Sequence, residues 1–203
     1  MRWEPNTTSY ALLSLLDLRP WSTYELAKQM ERSLRWFWPR AESVLYEEPK
    51  RLVRHGLATA SDESTGGRPR TVYRITPAGR AALDEWLSRP GGGPVLEFEA
   101  MVQIAFADVG TKEQLLATLA AVREHAERFR ELALSRAAEY AETGGPYPER
   151  LHVIGLTGKL LLEWTDLLAR WAAWAEREAH AMPTIQSGRG VPPPSGAFEL
   201  GGL

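Results

Sequence analysis

Residues 38–76 constrain the fold more than any other stretch of this chain, because a helix signal is followed at once by a hairpin signal. The predicted helix begins at Pro39 and stops at Gly56, and proline and glycine are typical of these two ends. Two short strands follow, joined by the basic loop Ser64-Thr-Gly-Gly-Arg-Pro-Arg. This order is typical of a winged helix-turn-helix, in which the helix fits a DNA major groove and the wing lies beside it.

Three further helices are predicted around this unit. The first spans about residues 7–18 and is rich in leucine. The second carries the best local signal, because Ser22 and Glu25 have the spacing of a capping box. Another helix begins at Thr76-Pro77, directly after the second strand. The predicted fold class is therefore mainly α with a small β-hairpin wing, followed by an α-helical dimerisation domain.

Runs of glycine and proline indicate the domain boundaries. The run Arg89-Pro-Gly-Gly-Gly-Pro cannot continue a helix and reads as a linker. We therefore predict a winged helix-turn-helix domain at 1–90, a linker at 91–96 and a helical domain at 97–182. The remaining segment, 183–203, is rich in glycine and proline and is expected to be disordered.

Charge is distributed unevenly along the chain, although the net value is only −2. The first 90 residues hold 14 Lys and Arg against 11 Asp and Glu, whereas the remainder holds 10 against 15. A basic patch on a mildly acidic protein is what DNA binding needs. The excess is small, so charge alone does not decide the matter.

Composition argues against several other classes of protein. Cysteine is absent, which excludes disulfides and thiolate metal sites, and the four histidines are scattered without metal-ligand spacing. The glycine run lacks the Lys-Ser/Thr of a phosphate loop. No apolar run suits a membrane span, and the first residues do not read as a signal peptide. We expect a cytoplasmic protein that is not an enzyme and has no cofactor, no metal and no membrane partner.

Helices are predicted in the second domain at 97–107, 111–142 and 149–181. The last has a wide apolar stripe, which its own chain is too short to cover. Pairing with a second copy solves this problem, and two-fold symmetry suits a palindromic DNA site. The residues assigned to dimerisation are Leu160, Leu161, Trp164, Leu167 and Leu168. Trp171 and Trp174 either fill the dimer core or line an aromatic effector pocket.

Several motifs of the first domain occur in one order and at one set of spacings. They are Tyr10-Ala-Leu-Leu-Ser-Leu-Leu, Thr23-Tyr-Glu-Leu, Trp38-Pro-Arg-Ala-Glu-Ser, Leu45-Tyr, Gly56-Leu, Gly67-Arg-Pro-Arg and Val72-Tyr-Arg-Ile-Thr. Together they resemble the PadR family of bacterial transcriptional regulators over roughly residues 8–90. The resemblance implies a winged-helix domain, a helical dimerisation domain and a planar hydrophobic effector.

Two residues depart from the family pattern. Thr23 stands where glycine is usual, which is a mild change at a helix start. Pro49 stands where leucine is usual, well inside the predicted recognition helix. An interior proline removes a backbone hydrogen bond and costs about 3 kcal/mol. We expect it to kink the helix without ending it, because the apolar stripe continues to Leu52.

The candidate DNA contacts fall into three groups. Polar residues opposite the apolar stripe of the recognition helix are expected to meet base edges, and cations in its second half to meet phosphates. The wing supplies arginines at or near its tip. The predicted DNA-binding residues are Arg40, Ser43, Tyr46, Glu47, Lys50, Arg51, Arg54, Arg68, Arg70 and Arg74. For each the alternative is an ordinary packed or solvated side chain.

These observations predict a ligand-responsive transcriptional repressor that binds double-stranded DNA as a homodimer. One alternative is a transcriptional activator of the same architecture. The alternative from another class is a helical dimerisation or adaptor protein whose winged helix binds protein. Affinity that falls with salt favours DNA, and affinity insensitive to salt favours a protein partner.

Overall fold

Seven α-helices and one three-stranded sheet make up the part of the chain that the structure describes, residues 3–65, 68–186 and 192–197. The structure is a computed structural model. Its contacts divide the chain into two units, Met1–Pro94 and Val95–Leu203. The fold is mainly helical with a small winged sheet, as the sequence predicts.

The first unit begins with two capped helices. Helix α1 spans Thr7–Leu18, and the side chain of Asn6 caps it. Helix α2 spans Thr23–Ser33, and the predicted capping box is present. In that box Ser22 Oγ accepts from the backbone N–H of Glu25, and the Glu25 carboxylate accepts from the N–H of Ser22. These caps fix where the two helices start.

Helix α3 spans Glu42–Arg54 and continues through Pro49 without a break. Its predicted start at Pro39 is wrong by three residues, because residues 34–37 form turns, residues 38–40 are irregular and Ala41 is extended. The tryptophan ring of Trp38 docks onto α1, which holds this segment outside the helix. Gly56 adopts a positive φ of 71° after the helix, as expected of a glycine stop.

The sheet contains the predicted hairpin and one additional short strand. Strand β2 spans Ala58–Thr65 and pairs antiparallel with β3, Arg68–Ile75. Strand β1, Trp21–Ser22, pairs with the other edge of β3, so the order is β1-β3-β2. The sequence did not predict β1, which is only two residues long. Helix α4, Pro77–Leu87, follows the wing and is capped by Thr76.

The core of the first unit lies between α1, α2, α3 and the sheet. Its fully buried members are mostly leucines and strand residues, among them Leu12, Leu13, Leu26, Leu52, Val72 and Tyr73. The Trp21 indole is also buried and donates to the carbonyl of Leu15 at 2.7 Å. These contacts fix α3 on its apolar side and leave its other side to solvent.

The second unit is built on two long helices. Helix α5 spans Glu99–Ala105 and a short 3₁₀ turn follows it. Helix α6 spans Lys112–Thr143 and α7 spans Leu151–Ala181, with the left-handed glycines Gly144 and Gly145 in the connection between them. No helix among the described residues is long and apolar enough to cross a membrane.

Helices α6 and α7 pack through small residues and ion pairs. Ala126 of α6 and Ala172 of α7 are fully buried, and Arg123 bonds to Glu176 across the pair. In the tail that the sequence predicts to be disordered, residues 187–191 and 198–203 lie outside the described residues. Within the described part of this tail, the Gln186 side chain donates to the carbonyl of Gly110 at 2.8 Å.

Candidate nucleic-acid interface

Helix α3 presents one polar face to solvent. Ser43, Glu47, Lys50 and Arg54 are exposed and recur at the spacing of a single helical face. The opposite face is buried and consists of Leu45, Glu48, Pro49 and Leu52. The inner side of the helix is therefore packed against the core, and its outer side is exposed to solvent. Tyr46 lies between the two faces and is partly buried.

Two residues of the exposed face form an ion pair. Lys50 Nζ lies 2.6 Å from Glu47 Oε1. The hydrogen bond from Lys50, and then its charge, lower the pKa of Glu47, and the same contact raises the pKa of Lys50. The Glu47 carboxylate thus stays ionised and accepts hydrogen bonds only. On a base edge, such a group suits the amino group of cytosine.

Helix α3 also contains a buried carboxylate, Glu48, that was not predicted from the sequence. Glu48 is 2% exposed and accepts a hydrogen bond from Ser9 Oγ of α1 at 2.5 Å. Its other oxygen accepts from Arg51 Nη1 at 3.2 Å. Arg51 is therefore tied to the helix and is not fully extended towards solvent. The available signal was a glutamate placed between Leu45 and Leu52 on the apolar side.

Arg40 lies in the segment before α3 and not on the helix. Its guanidinium carbon is 3.9 Å from the centre of the Trp38 ring, and Nη1 donates to the carbonyl of Pro39 at 2.7 Å. The predicted position of Arg40 on the recognition helix is therefore wrong, although its side chain remains exposed next to the start of that helix. The sequence did not single out Trp38 as the residue that Arg40 contacts.

The wing arginines contact glutamates of the same unit. Arg74 bonds to Ser61 and to Glu63 at 2.5 Å on the neighbouring strand. Arg70 Nη1 lies 3.8 Å from Glu25. Arg68 begins β3, but its side chain and the tip glycines Gly66 and Gly67 lie outside the described residues. Of the three predicted wing arginines, the structure thus places two.

Glu25 joins the start of α2 to the wing. Partial burial acts to raise its pKa, but hydrogen bonds from Ser22 and the charges of Arg19 and Arg70 outweigh burial, so the pKa is lowered. The carboxylate therefore remains charged while it caps α2. A phosphate that takes over Arg70 would replace a weak contact of 3.8 Å and leave the cap in place.

A cleft of about 470 Å³ lies between α2 and the start of α3. The residues that line it include predicted DNA contacts and two residues of α2 that were not predicted from the sequence. The predicted ones are Arg40 and Tyr46, and the new ones are Tyr24 and Lys28. The cleft mixes aromatic rings with three cations, Lys28, Arg35 and Arg40, and two carboxylates, Glu31 and Glu42.

The residues predicted for dimerisation and effector binding all lie on α7. Leu160, Trp164 and Leu167 are exposed at 58%, 39% and 48%, whereas Leu161 and Leu168 are partly buried on the side towards α6. The predicted stripe is thus divided between two faces. Trp171 and Trp174 are partly buried, and neither lines the cleft of the first unit.

Comparison with known sequences identifies relatives among transcriptional regulators. Residues 12–85 match the Transcriptional regulator PadR-like family. The probable transcriptional regulator Rv1176c of Mycobacterium tuberculosis is 30% identical over 141 residues, which cover 64% of this chain and 74% of that protein. The negative transcriptional regulator PadR of Bacillus subtilis is 25% identical over 140 residues, which cover 68% and 71%.

Solved structures of the Bacillus subtilis regulator share the fold. PadR in complex with operator DNA superimposes with a TM-score of 0.72 at 20% identity, covering 86% of this chain and 99% of that one. The same regulator in complex with p-coumaric acid gives a TM-score of 0.65 at 19% identity, with the same coverage. With the family match and the 30% identical relative, this chain belongs to the PadR-like family of transcriptional regulators, which are not enzymes.

Proposed function

We propose that this chain is a transcriptional repressor that binds a two-fold symmetric operator as a homodimer and leaves it when a planar aromatic effector binds. As a regulator of chromosomal genes it would act in the cytoplasm. The observation that carries the proposal is the face of α3 formed by Ser43, Glu47, Lys50 and Arg54, which is exposed along the helix.

The chemistry of this face suits a DNA major groove. Ser43 and Glu47 offer short polar groups near the start of the helix, where base edges are usually read. Lys50 and Arg54 follow on the same face, one and two turns further on, and reach phosphates. Lys50 forms an ion pair with Glu47, so it must release the Glu47 carboxylate before it can bind a phosphate.

The second unit supports a dimer. Five apolar side chains follow one face of α7 and are exposed in the single chain: Val153, Leu156, Leu160, Trp164 and Leu167. A contiguous apolar face of this kind marks an interaction surface. A second copy of α7 offers the same face, so a two-fold axis covers both at once. A two-fold symmetric dimer carries two copies of α3, which matches the two half-sites of a symmetric operator.

Repression and effector release rest on the relatives. The Bacillus subtilis protein is named a negative transcriptional regulator, and its structure is known with p-coumaric acid. In this chain, Trp171 and Trp174 supply aromatic surface near the C-terminal end of α7. We assign the effector to these two residues, with a planar aromatic compound as the ligand class.

Selection of DNA from a random pool by the wild-type protein, followed by titration at several salt concentrations, tests the proposal. Arg54→Gln should lower the slope of log affinity against log salt by about 1, because one phosphate contact is lost. Arg128→Gln, which removes an exposed arginine of α6, is the matched control and should leave the slope unchanged.

A panel of planar aromatic compounds added to the selected complex tests the effector. Release of the DNA together with quenching of tryptophan fluorescence is the expected result. No change in either signal across the panel would remove the effector from the proposal. Failure of the wild-type protein to retain any duplex, with affinity for a protein partner that does not respond to salt, would favour the adaptor function instead.

A further inference from the structure

The segment between α2 and α3 contains an aromatic ring with a fixed position. Trp38 Nε1 donates to Thr8 Oγ1 at 2.9 Å, and Thr8 is only 3% exposed in the first turn of α1. The backbone N–H of Trp38 also donates to the carbonyl of Leu34 at 2.7 Å. Trp38 is therefore held at two points, its ring on α1 and its backbone just after the end of α2.

Arg40 is held against this ring. Its guanidinium carbon lies 3.9 Å from the ring centre, well within the range of a cation–π contact. The hydrogen bond from Nη1 to the carbonyl of Pro39 restrains the same guanidinium group. Arg40 is exposed, lines the cleft beside α3 and precedes the first residue of that helix by two positions.

Arg40 is held differently from four other cations of the interface. Lys50, Arg51, Arg70 and Arg74 each form an ion pair with a glutamate. A carboxylate orients a cation but also offsets its charge, so a phosphate must compete with it. An aromatic face orients the guanidinium and leaves its full positive charge for an incoming anion.

We propose that Trp38 is the positioning residue for Arg40, which it holds in place to bind a phosphate of the DNA backbone beside the start of α3. The proposal rests on the proposed function, because it assigns one contact within the same DNA complex. Ordering a free arginine on binding weakens an interface, and Trp38 removes that loss before DNA arrives.

A double-mutant cycle with Trp38→Leu and Arg40→Ala tests the assignment, with the duplex selected by the wild-type protein as the probe. Arg40→Ala should lower the salt slope by about 1, as expected for one lost phosphate contact. Trp38→Leu should weaken binding about three- to tenfold. In the Arg40→Ala background, Trp38→Leu should have no further effect on affinity, because Trp38 acts through Arg40.

Two matched variants separate positioning from folding. Trp38→Phe keeps an aromatic face and should recover most of the affinity that Trp38→Leu loses. Trp36→Leu removes a tryptophan from the same segment, where its ring lies 5.7 Å from the Arg35 guanidinium, and should show no coupling to Arg40. Urea unfolding of every variant gives its folded fraction, and the affinities are compared after correction for that fraction.

The outcomes distinguish this inference from the proposed function. If Arg40→Ala binds the duplex with the affinity and salt slope of the wild-type protein, the phosphate contact is overturned and the DNA function stays intact. Equal losses from Trp38→Leu with and without Arg40 would assign Trp38 a structural role only and overturn the positioning. Absence of duplex binding by the wild-type protein would overturn both.

Discussion

Glu48 is the residue in α3 that departs most from ordinary helix packing. A carboxylate that is 2% exposed is rare unless its oxygens are satisfied, and here Ser9 and Arg51 satisfy them. Asn6 N–H donates to Ser9 Oγ, which donates to Glu48, so a chain of hydrogen bonds runs from the cap of α1 to α3. This chain fixes where α1 begins relative to the recognition helix.

Removing Glu48 should destabilise the first unit. Glu48→Ala leaves the Ser9 hydroxyl without its buried acceptor and opens a cavity, which should lower the free energy of unfolding by about 2–3 kcal/mol. Urea unfolding of Glu48→Ala, Ser9→Ala and the double variant measures this loss of unfolding free energy. The loss in the double variant should be smaller than the sum of the losses in the two single variants. Glu47→Ala, the exposed neighbour, should change stability by no more than about 0.5 kcal/mol. Strictly additive losses would contradict the coupling.

At the scale of elements, local signals were predictable and contacts between distant segments were not. Ser22 and Glu25 lie three residues apart, so the start of α2 could be predicted from the sequence. The start of α3 could not, because it depends on Trp38 contacting Thr8, thirty positions earlier. The wing was predicted, but its ion pair between Arg74 and Glu63 depends on strand register, which only the folded sheet fixes.

The candidate site shows the same division. The exposed face of α3 follows from helical periodicity, so Ser43, Lys50 and Arg54 could be placed from the sequence. Arg40 was assigned to the same face because the helix was started at Pro39. Periodicity gives no information on residues before the helix begins, and the aromatic contact of Arg40 lies there.

Helix α3 has a proline in its most buried stretch. Pro49→Ala restores the N–H donor to the carbonyl of Leu45 and removes a penalty of about 3 kcal/mol. Losing the proline also frees the unfolded chain and removes some buried carbon, so the net gain in unfolding free energy should be about 1 kcal/mol. Thermal unfolding of the variant measures this gain as a higher midpoint.

Pro49→Leu is the informative companion variant. Pro49 is less than 2% exposed, so the larger leucine side chain must displace its neighbours. From the sequence alone, leucine would be expected to fill the apolar stripe and gain up to about 3 kcal/mol. The burial of Pro49 now predicts that Pro49→Leu is less stable than Pro49→Ala. A Pro49→Ala protein less stable than the wild type would mean that proline packing outweighs its effect on the helix.

In the whole molecule, the two faces of α7 have different roles. One face packs on α6 through small buried residues such as Thr165, Ala172 and Ala179. The adjacent face carries large apolar side chains that remain exposed in the single chain, including Leu160 and Leu167. A helix with two apolar faces and one partner within its own chain has surface left for a second partner.

Leu167→Glu should therefore separate the proposed dimer. A two-fold axis places the substitution in the interface twice, so two carboxylates lose water without gaining a partner. Losing the leucine and burying the charge should raise the dimer dissociation constant at least about a hundredfold, or about 2.7 kcal/mol. Sedimentation equilibrium measures the constant, and circular dichroism confirms that the helices are retained.

Leu87→Glu is the matched control for this experiment. Leu87 is 65% exposed on α4 of the first unit, so the same change of side chain there should leave the dissociation constant unchanged. Operator affinity should fall with dimer affinity in Leu167→Glu, because a monomer reaches only one half-site. A Leu167→Glu protein that stays dimeric at the wild-type dissociation constant would show that this face of α7 is not the one that pairs, and the two-fold arrangement of α3 would then need another interface.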